Sequence, residues 1–430
     1  MKNYWIFLIL LNLIFISYSK PFENSKTLVL LDDLSEKYLF SNFFNFLEEN
    51  GYELDFHTPN DPSLSFKKFG KFTYNQLIIF SPRFEEPTIE VSTIVDFIDD
   101  GHDVIIGLSS ESSDELNNLA NQCGIQLDGE GTAVIDHFSF HEPLDKSMHH
   151  TTIIAKDFID SKVMLGKYDP KEMAPVIFKG IGMKINQESN LLFKVLTGSP
   201  SSYSFYIDES IEDEELFTVG TKTSLVLALQ TRKGSRVLFS GSREMFSDEF
   251  FDSNIGSQKS GNQIFCQEIS LWTFRERGYI QVKEFTHHKL GEAEPQKFYV
   301  VLETMETYIS LVEWNGNEWV SFEPNDLQLE FIMLDPYVRT TMKFDEKLQL
   351  FSTSFQVPNR HGIYKLLVEY QRVGYNLIHQ EEILPVTPYA DQSAHQFLTC
   401  SLPYYSGSIS MLVGFLLFSL LLLYYKVDPK

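Results

Sequence analysis

One run near the C-terminus limits this chain more than any other stretch. From Ser406 to Tyr425, "SGSISMLVGFLLFSLLLLYY" carries no charged residue. As a helix rising ~1.5 Å per residue it spans ~30 Å, the thickness of the hydrocarbon core of a bilayer. Tyr404-Tyr405 and Tyr424-Tyr425 bracket it where amphipathic rings settle, and Lys426 follows at once. The run predicts a transmembrane helix over 406–425 and a short tail over 426–430. Within it Ser406, Ser410 and Gly414 share one helix face, the small-residue pattern that lets another membrane helix approach closely.

The other end reads "MKNYWIFLILLNLIFISYSK". A lysine, an apolar core from Trp5 to Ile16, and the small residues Ser17 and Ser19 predict a secretory signal peptide over 1–19. Together the two ends predict a type I protein, its bulk outside the cytosol and its tail inside. About 385 residues lie between Lys20 and Tyr404, more than one ordinary core holds, so two or more domains are expected. The net charge of −24 argues against nucleic acid or an anionic membrane surface as partner. Cys123, Cys266 and Cys400 allow one disulfide at most, and whether Cys123 and Cys266 pair is open. No Asn-x-Ser/Thr sequon occurs in the chain; Asn121-Gln122-Cys123 is a weak variant of one.

Hydrophobic period divides the chain in two. From "TLVLLDD" at 27–33, short apolar strands ("YELDFH", "NQLIIFSP", "DVIIGLSS") alternate with amphipathic helices at Ser41–Asn50 and Ile89–Asp99. Such alternation predicts a parallel sheet covered on both faces. "TAVIDHF", "HTTIIA", "PVIFKGIG", "TSLVLALQ" and "RVLFSGS" continue it as mixed structure. Phe265, Ile269 and Trp272 then space one buried face of a last helix, which makes Cys266 a core or boundary residue rather than a nucleophile. After Gly278 the period falls to two, with Asn315-Gly316 as a hairpin turn. The expected organisation is an open α/β domain of flavodoxin or amidotransferase type over 20–277, an antiparallel β-sandwich over 278–390, and a linker over 391–405.

Two groups invite a catalytic reading. Asp32 and Asp33 end the first strand at the sheet edge where open α/β folds bind ligands, and Ser81-Pro82-Arg83 and Ser109-Ser110-Glu111 end neighbouring strands. Polar strand ends also serve as turns and helix caps, and that is the expectation for both aspartates. "VIDHFSFHEPLDKSMHH" places His137, His141, His149 and His150 near Asp136 and Glu142, but Pro143 breaks any helix and HExxH is absent, so a solvated loop is expected; His287-His288 reads the same way. Gly-x-Ser-x-Gly and P-loop patterns are missing. "GIGMKI" and "GEGTAV" lack the third glycine of a dinucleotide loop.

Eight phrases in order carry a more specific signal: "TLVLLDD", "DPSLS", "LIIFSP", "TAVIDH", "SYSFY", "VLFSGSREMFSDEFF", "LQLEFIMLDPYVRT" and "GIYKLLVEYQRVGY". With the signal peptide and the single span, they make the chain resemble the 48 kDa subunit family of the eukaryotic oligosaccharyltransferase, from Thr27 to the end of the membrane helix. The resemblance implies an ER membrane protein of the complex that transfers a lipid-linked oligosaccharide to asparagine. It implies an accessory subunit needed for assembly, with catalysis and the metal in a separate multi-spanning subunit, and with the ribophorins and the small defender-against-death subunit as further partners. No catalytic residue, cofactor or metal ligand carries over to this chain. The tail "KVDPK" lacks a paired-lysine retrieval signal, so retention through the complex is implied. The competing readings are a membrane-anchored hydrolase or amidotransferase-like enzyme using Asp32, Asp33 and the His137–His150 loop, and a glycan- or peptide-binding module using the aromatics of "SYSFY".

Overall fold

The computed structural model describes residues 26–426 apart from 85–86, 167, 187–188, 208, 210–215, 293 and 390–398. The signal peptide, much of the linker and nearly all of the tail therefore lie outside the described residues. β1 (Lys26–Leu31) leads through a 3-10 turn at Leu34–Phe40 into α1 (Ser41–Glu49) and back to β2 (Glu53–His57). β3 (Gln76–Phe80), α2 (Val91–Asp99), β4 (Asp103–Gly107) and α3 (Asp114–Gln122) repeat the cycle. β5 (Leu192–Thr197), β6 (Ser224–Gln230), β7 (Arg236–Ser240) and α4 (Asn262–Thr273) complete the α/β part.

The central sheet runs β5-β6-β7-β4-β3-β1-β2, with β2, β1, β3, β4 and β7 parallel and the β5–β6–β7 ladder antiparallel. β1, β3, β4, β6 and β7 are buried almost throughout and mainly apolar, because both faces are covered. On one face Phe43, Phe44 and Leu47 of α1 and Phe265, Ile269 and Trp272 of α4 pack against Val29, Ile78, Ile105 and Leu238. On the other, α2 and α3 cover Leu28, Leu77, Val104 and Phe239. Burying each large side chain contributes roughly 1.5–3 kcal/mol, so this two-faced sheet is the main source of stability.

The second part is all β. β8 (Tyr279–Lys289), β9 (Thr304–Trp314) and the later β12 (Leu350–Gln356) form one antiparallel sheet. β10 (Gln328–Ile332), β11 (Pro336–Thr341), β13 (Gly362–Tyr370) and β14 (Ile378–Thr387) form most of the other. Alternate residues such as Met305, Ile309 and Leu311, and Tyr364, Leu366 and Val368, point into one shared interior. The expected hairpin closes through Asn315–Glu318, with Asn315 Oδ1 accepting from the amides of Asn317 and Glu318. α5 (Leu402–Tyr424) is exposed along its length and is the one described helix long and apolar enough to cross a membrane. It begins at Leu402 rather than Ser406 and ends at Tyr424. The fold is thus the open α/β unit, β-sandwich and apolar helix that periodicity predicts.

Candidate functional site

β1 is the point where the sheet order reverses: the chain leaves it to β2 on one side and later to β3 on the other. The crevice beyond the C-terminal ends of β1 and β3 is where open α/β folds place ligands. Asp32 stands there, accepting a hydrogen bond from the Ser81 hydroxyl at the end of β3. Its other oxygen lies 3.5 Å from Arg243 Nη1. Arg243 also donates to Glu36 through both terminal nitrogens, at 3.0 and 3.4 Å, and to the Phe80 carbonyl at 3.1 Å. Gly107 makes this reach possible, since a Cβ there would meet the Phe80 ring at 2.8 Å and Arg243 Cβ at 3.0 Å.

Asp33 behaves as expected. It caps the 3-10 turn by accepting from Ser35 N at 3.0 Å, and this bond, with one from the Ser35 side chain, holds its carboxyl below the usual carboxylate range. Asp32 does not. It is a cross-strand bridge rather than a turn residue, because Arg243, supplied by the segment after β7, brings a cation to it.

A second anion position is filled as well. The first amides of α1, beyond the 3-10 turn, form an anion position of their own, since a helix N-terminus attracts negative charge. Asp248 occupies it, accepting from Ser41 N at 3.1 Å, Ser41 Oγ at 2.5 Å and Asn42 N at 2.9 Å. In the crevice Asp32, Glu36 and Arg243 are engaged with one another. Arg83 and Glu111, which the sequence places at neighbouring strand ends, pair at 2.9 Å on the surface.

The histidine loop is less solvated than expected. His137 is exposed, with Nδ1 2.6 Å from His150 Nδ1 and Nε2 2.9 Å from the Tyr203 hydroxyl. His141 is buried and bonds through Nε2 to the Asn254 carbonyl at 2.9 Å. That correction follows from Asn254, distant in sequence, folding over the loop. Asp136 anchors the region, accepting from the Ser199 and Ser201 hydroxyls and the amides of Phe138 and Ser139. His287-His288 is no loop at all. Both lie in β8, where His287 is buried against the Tyr299 hydroxyl at 2.7 Å and His288 stacks on Tyr308. Among the described residues no three His, Cys, Asp or Glu side chains gather as metal ligands.

"SYSFY" forms the edge strand Tyr203–Tyr206, with Ser204 and Phe205 buried and Tyr206 half-exposed. "GIGMKI" opens a strand rather than a phosphate loop; its Gly180 packs backbone-to-backbone against Gly241, leaving no room for a Cβ. Cys123 and Cys266 are both free and belong to opposite faces of the sheet. Burial pushes both thiols up, Cys123 to about 12, which suits packing and not nucleophilic attack. Ser406 and Ser410 turn their hydroxyls back onto the Pro403 and Gly407 carbonyls, and nothing lies within 4 Å of a Cβ at Gly414.

Two family descriptions together match most of the chain: "OST48, N-terminal domain" over residues 18–276 and "OST48 middle domain" over 287–426. This chain belongs to the OST48 family. Relatives named dolichyl-diphosphooligosaccharide–protein glycosyltransferase 48 kDa subunit are similar over nearly all of it. The Arabidopsis thaliana protein is 37% identical, covering 96% of each chain. The Danio rerio protein is 37% identical over 95% of this chain and 93% of its own. A ThuA-like protein of Parabacteroides merdae overlaps 58% of this chain and 90% of its own at 12% identity, with a TM-score of 0.36, too partial a likeness to argue from.

Proposed function

We propose that this OST48-family chain is the non-catalytic assembly subunit of a dolichyl-diphosphooligosaccharide–protein glycosyltransferase, set in the ER membrane with its bulk lumenal and its short tail cytosolic. Two filled positions carry this reading: Arg243 is clamped by Asp32 and Glu36 in the crevice, and Asp248 fills the anion position at α1. A scaffold whose ligand site is closed by its own side chains supports a holding role, with transfer chemistry in the multi-spanning catalytic subunit. The ribophorins and the small defender-against-death subunit are the further partners proposed. α5 would contribute through the Ser406–Ser410–Gly414 face, the kind of surface that packs membrane helices without a hydrophobic driving force.

The test is affinity purification of the full chain in mild detergent, with mass spectrometry of what accompanies it. The transferase subunits should come along. A preparation in which the chain is folded and membrane-extracted yet free of every transferase subunit would overturn the proposal.

A further inference from the structure

One end of the β-sandwich gathers exposed apolar side chains from four separate connections. Leu290 follows β8, and Phe298 and Leu302 flank the short strand Tyr299–Val300. Leu334 tips the β10–β11 hairpin and is 89% exposed; Ile363 starts β13, and Tyr389 follows β14. The pairing register puts them at the same end. Leu290 N bonds to the Thr304 carbonyl, Val301 N to Thr387, and Leu302 N to Val357. Gly362 stands opposite Val386, and Ile332 opposite both Lys365 and Pro336. Elsewhere on the sandwich Val320, Leu348, Val373 and Ile383 are also exposed, on separate strands and turns.

Two further observations say what covers this end. Leu302 holds φ +63, a left-handed conformation that an ordinary leucine avoids. Its backbone is pinned on both sides, by the Val357 carbonyl at 3.1 Å and by Gln356 Nε2 at 3.0 Å, and the strain keeps an apolar side chain facing outward. The chain also leaves the sandwich here. β14 runs toward this end and stops at Thr387, and the ten peptide units from Tyr389 to Thr399, next to α5, reach at most ~35 Å. The sandwich end nearest the membrane helix in sequence is therefore the apolar one.

We infer that this end rests on the bilayer that α5 crosses, with Phe298, Leu302 and Leu334 seated among the headgroups of the leaflet on the sandwich side. The occupant is lipid of ordinary zwitterionic kind. The charges nearby are mixed in sign (Lys289 paired with Glu303, Lys365 with Glu381) and do not select anionic lipid. The contact would fix the height and tilt of the α/β domain above the membrane, which a single helix and linker alone leave free. The inference rests on α5 spanning a membrane.

The experiment uses the full chain in phosphatidylcholine vesicles. Phe298→Cys, Leu334→Cys and, at the far turn of the same sandwich, Leu348→Cys are each made with Cys123→Ser and Cys400→Ser, and carry a fluorescent thiol label. Lipids bearing a nitroxide near the headgroup should quench the label about two-fold at positions 298 and 334 and leave Leu348 unchanged. Equal fluorescence at all three positions would overturn the inference. So would protection of 298 and 334 from aqueous quencher without quenching by lipid, which points to a protein partner. Release of the chain by alkaline carbonate would instead remove the membrane-span reading on which the inference rests.

Discussion

Asp32 and Asp33 are neighbours with different duties, and only one duty is legible in sequence. Asp33 precedes a helical turn by the usual capping spacing, so its role can be read locally. Asp32 acts through Arg243, 211 positions on, and no local pattern reveals that pairing. Arg243→Ala should lower stability by about 1–3 kcal/mol, since it leaves Asp32 and Glu36 facing each other without a shared cation; chemical denaturation of the full chain in detergent measures it. Asp136→Asn should cost a similar amount for another reason, the loss of a carboxylate that accepts four hydrogen bonds. Burial raises the Asp136 carboxyl, but the Ser199 and Ser201 hydroxyls and two amides outweigh it and hold it below the usual range. A depressed carboxyl stabilises above its unfolded value of about 3.9 and loses that contribution as pH falls through its folded value. The gap between wild type and Asp136→Asn should therefore be constant from pH 7 to 5 and close below pH ~4.

Among the elements, those with strong period and clear ends are the ones sequence resolves. α1 and α2 end at Gly51 and Gly101, both in the left-handed region, and each presents a plain apolar face. α3 escapes because its face is only Leu116, Leu119 and Ala120 amid polar residues, a pattern indistinguishable from loop until β4 and α2 supply the surface it covers. β8 is obscured by its two histidines: adjacent residues of a strand face opposite ways, so His287 packs inward while His288 stays near the surface. The prediction at this scale concerns α5. Ser410→Leu with Gly414→Leu should reduce recovery of transferase subunits in affinity purification while the chain itself still inserts, because bulk on the small-residue face blocks close helix approach. Unchanged recovery would remove that face from the assembly.

At the scale of the whole molecule, the α/β unit and the β-sandwich are joined by a buried cation that sequence does not announce. Arg236 opens β7, an unremarkable place for an arginine, yet its side chain is fully buried. It donates to the carbonyls of Trp272 at 2.5 Å, Arg277 at 2.7 Å, Gly278 at 2.7 Å and Gly374 at 3.3 Å, and lies over the Trp272 ring. Trp272 Nε1 adds a bond to the same Gly374 carbonyl at 2.8 Å. Gly278 and Gly374 meet backbone-to-backbone, with no space for a Cβ on Gly278, which also holds φ +62. Arg236→Leu should strip several buried carbonyls of their donor at roughly 1–3 kcal/mol each, and should split thermal unfolding into separate α/β and sandwich transitions. A single transition at the wild-type temperature would contradict this.

Assembly without catalysis is checked by replacing the chain in cells with an Asp32→Asn, Asp33→Asn, Arg243→Gln variant and reading both complex recovery and glycosylation of a reporter. Transfer per assembled complex should equal wild type, even if the altered chain is somewhat less stable. A complex recovered intact and in full amount, but unable to transfer oligosaccharide, would contradict it.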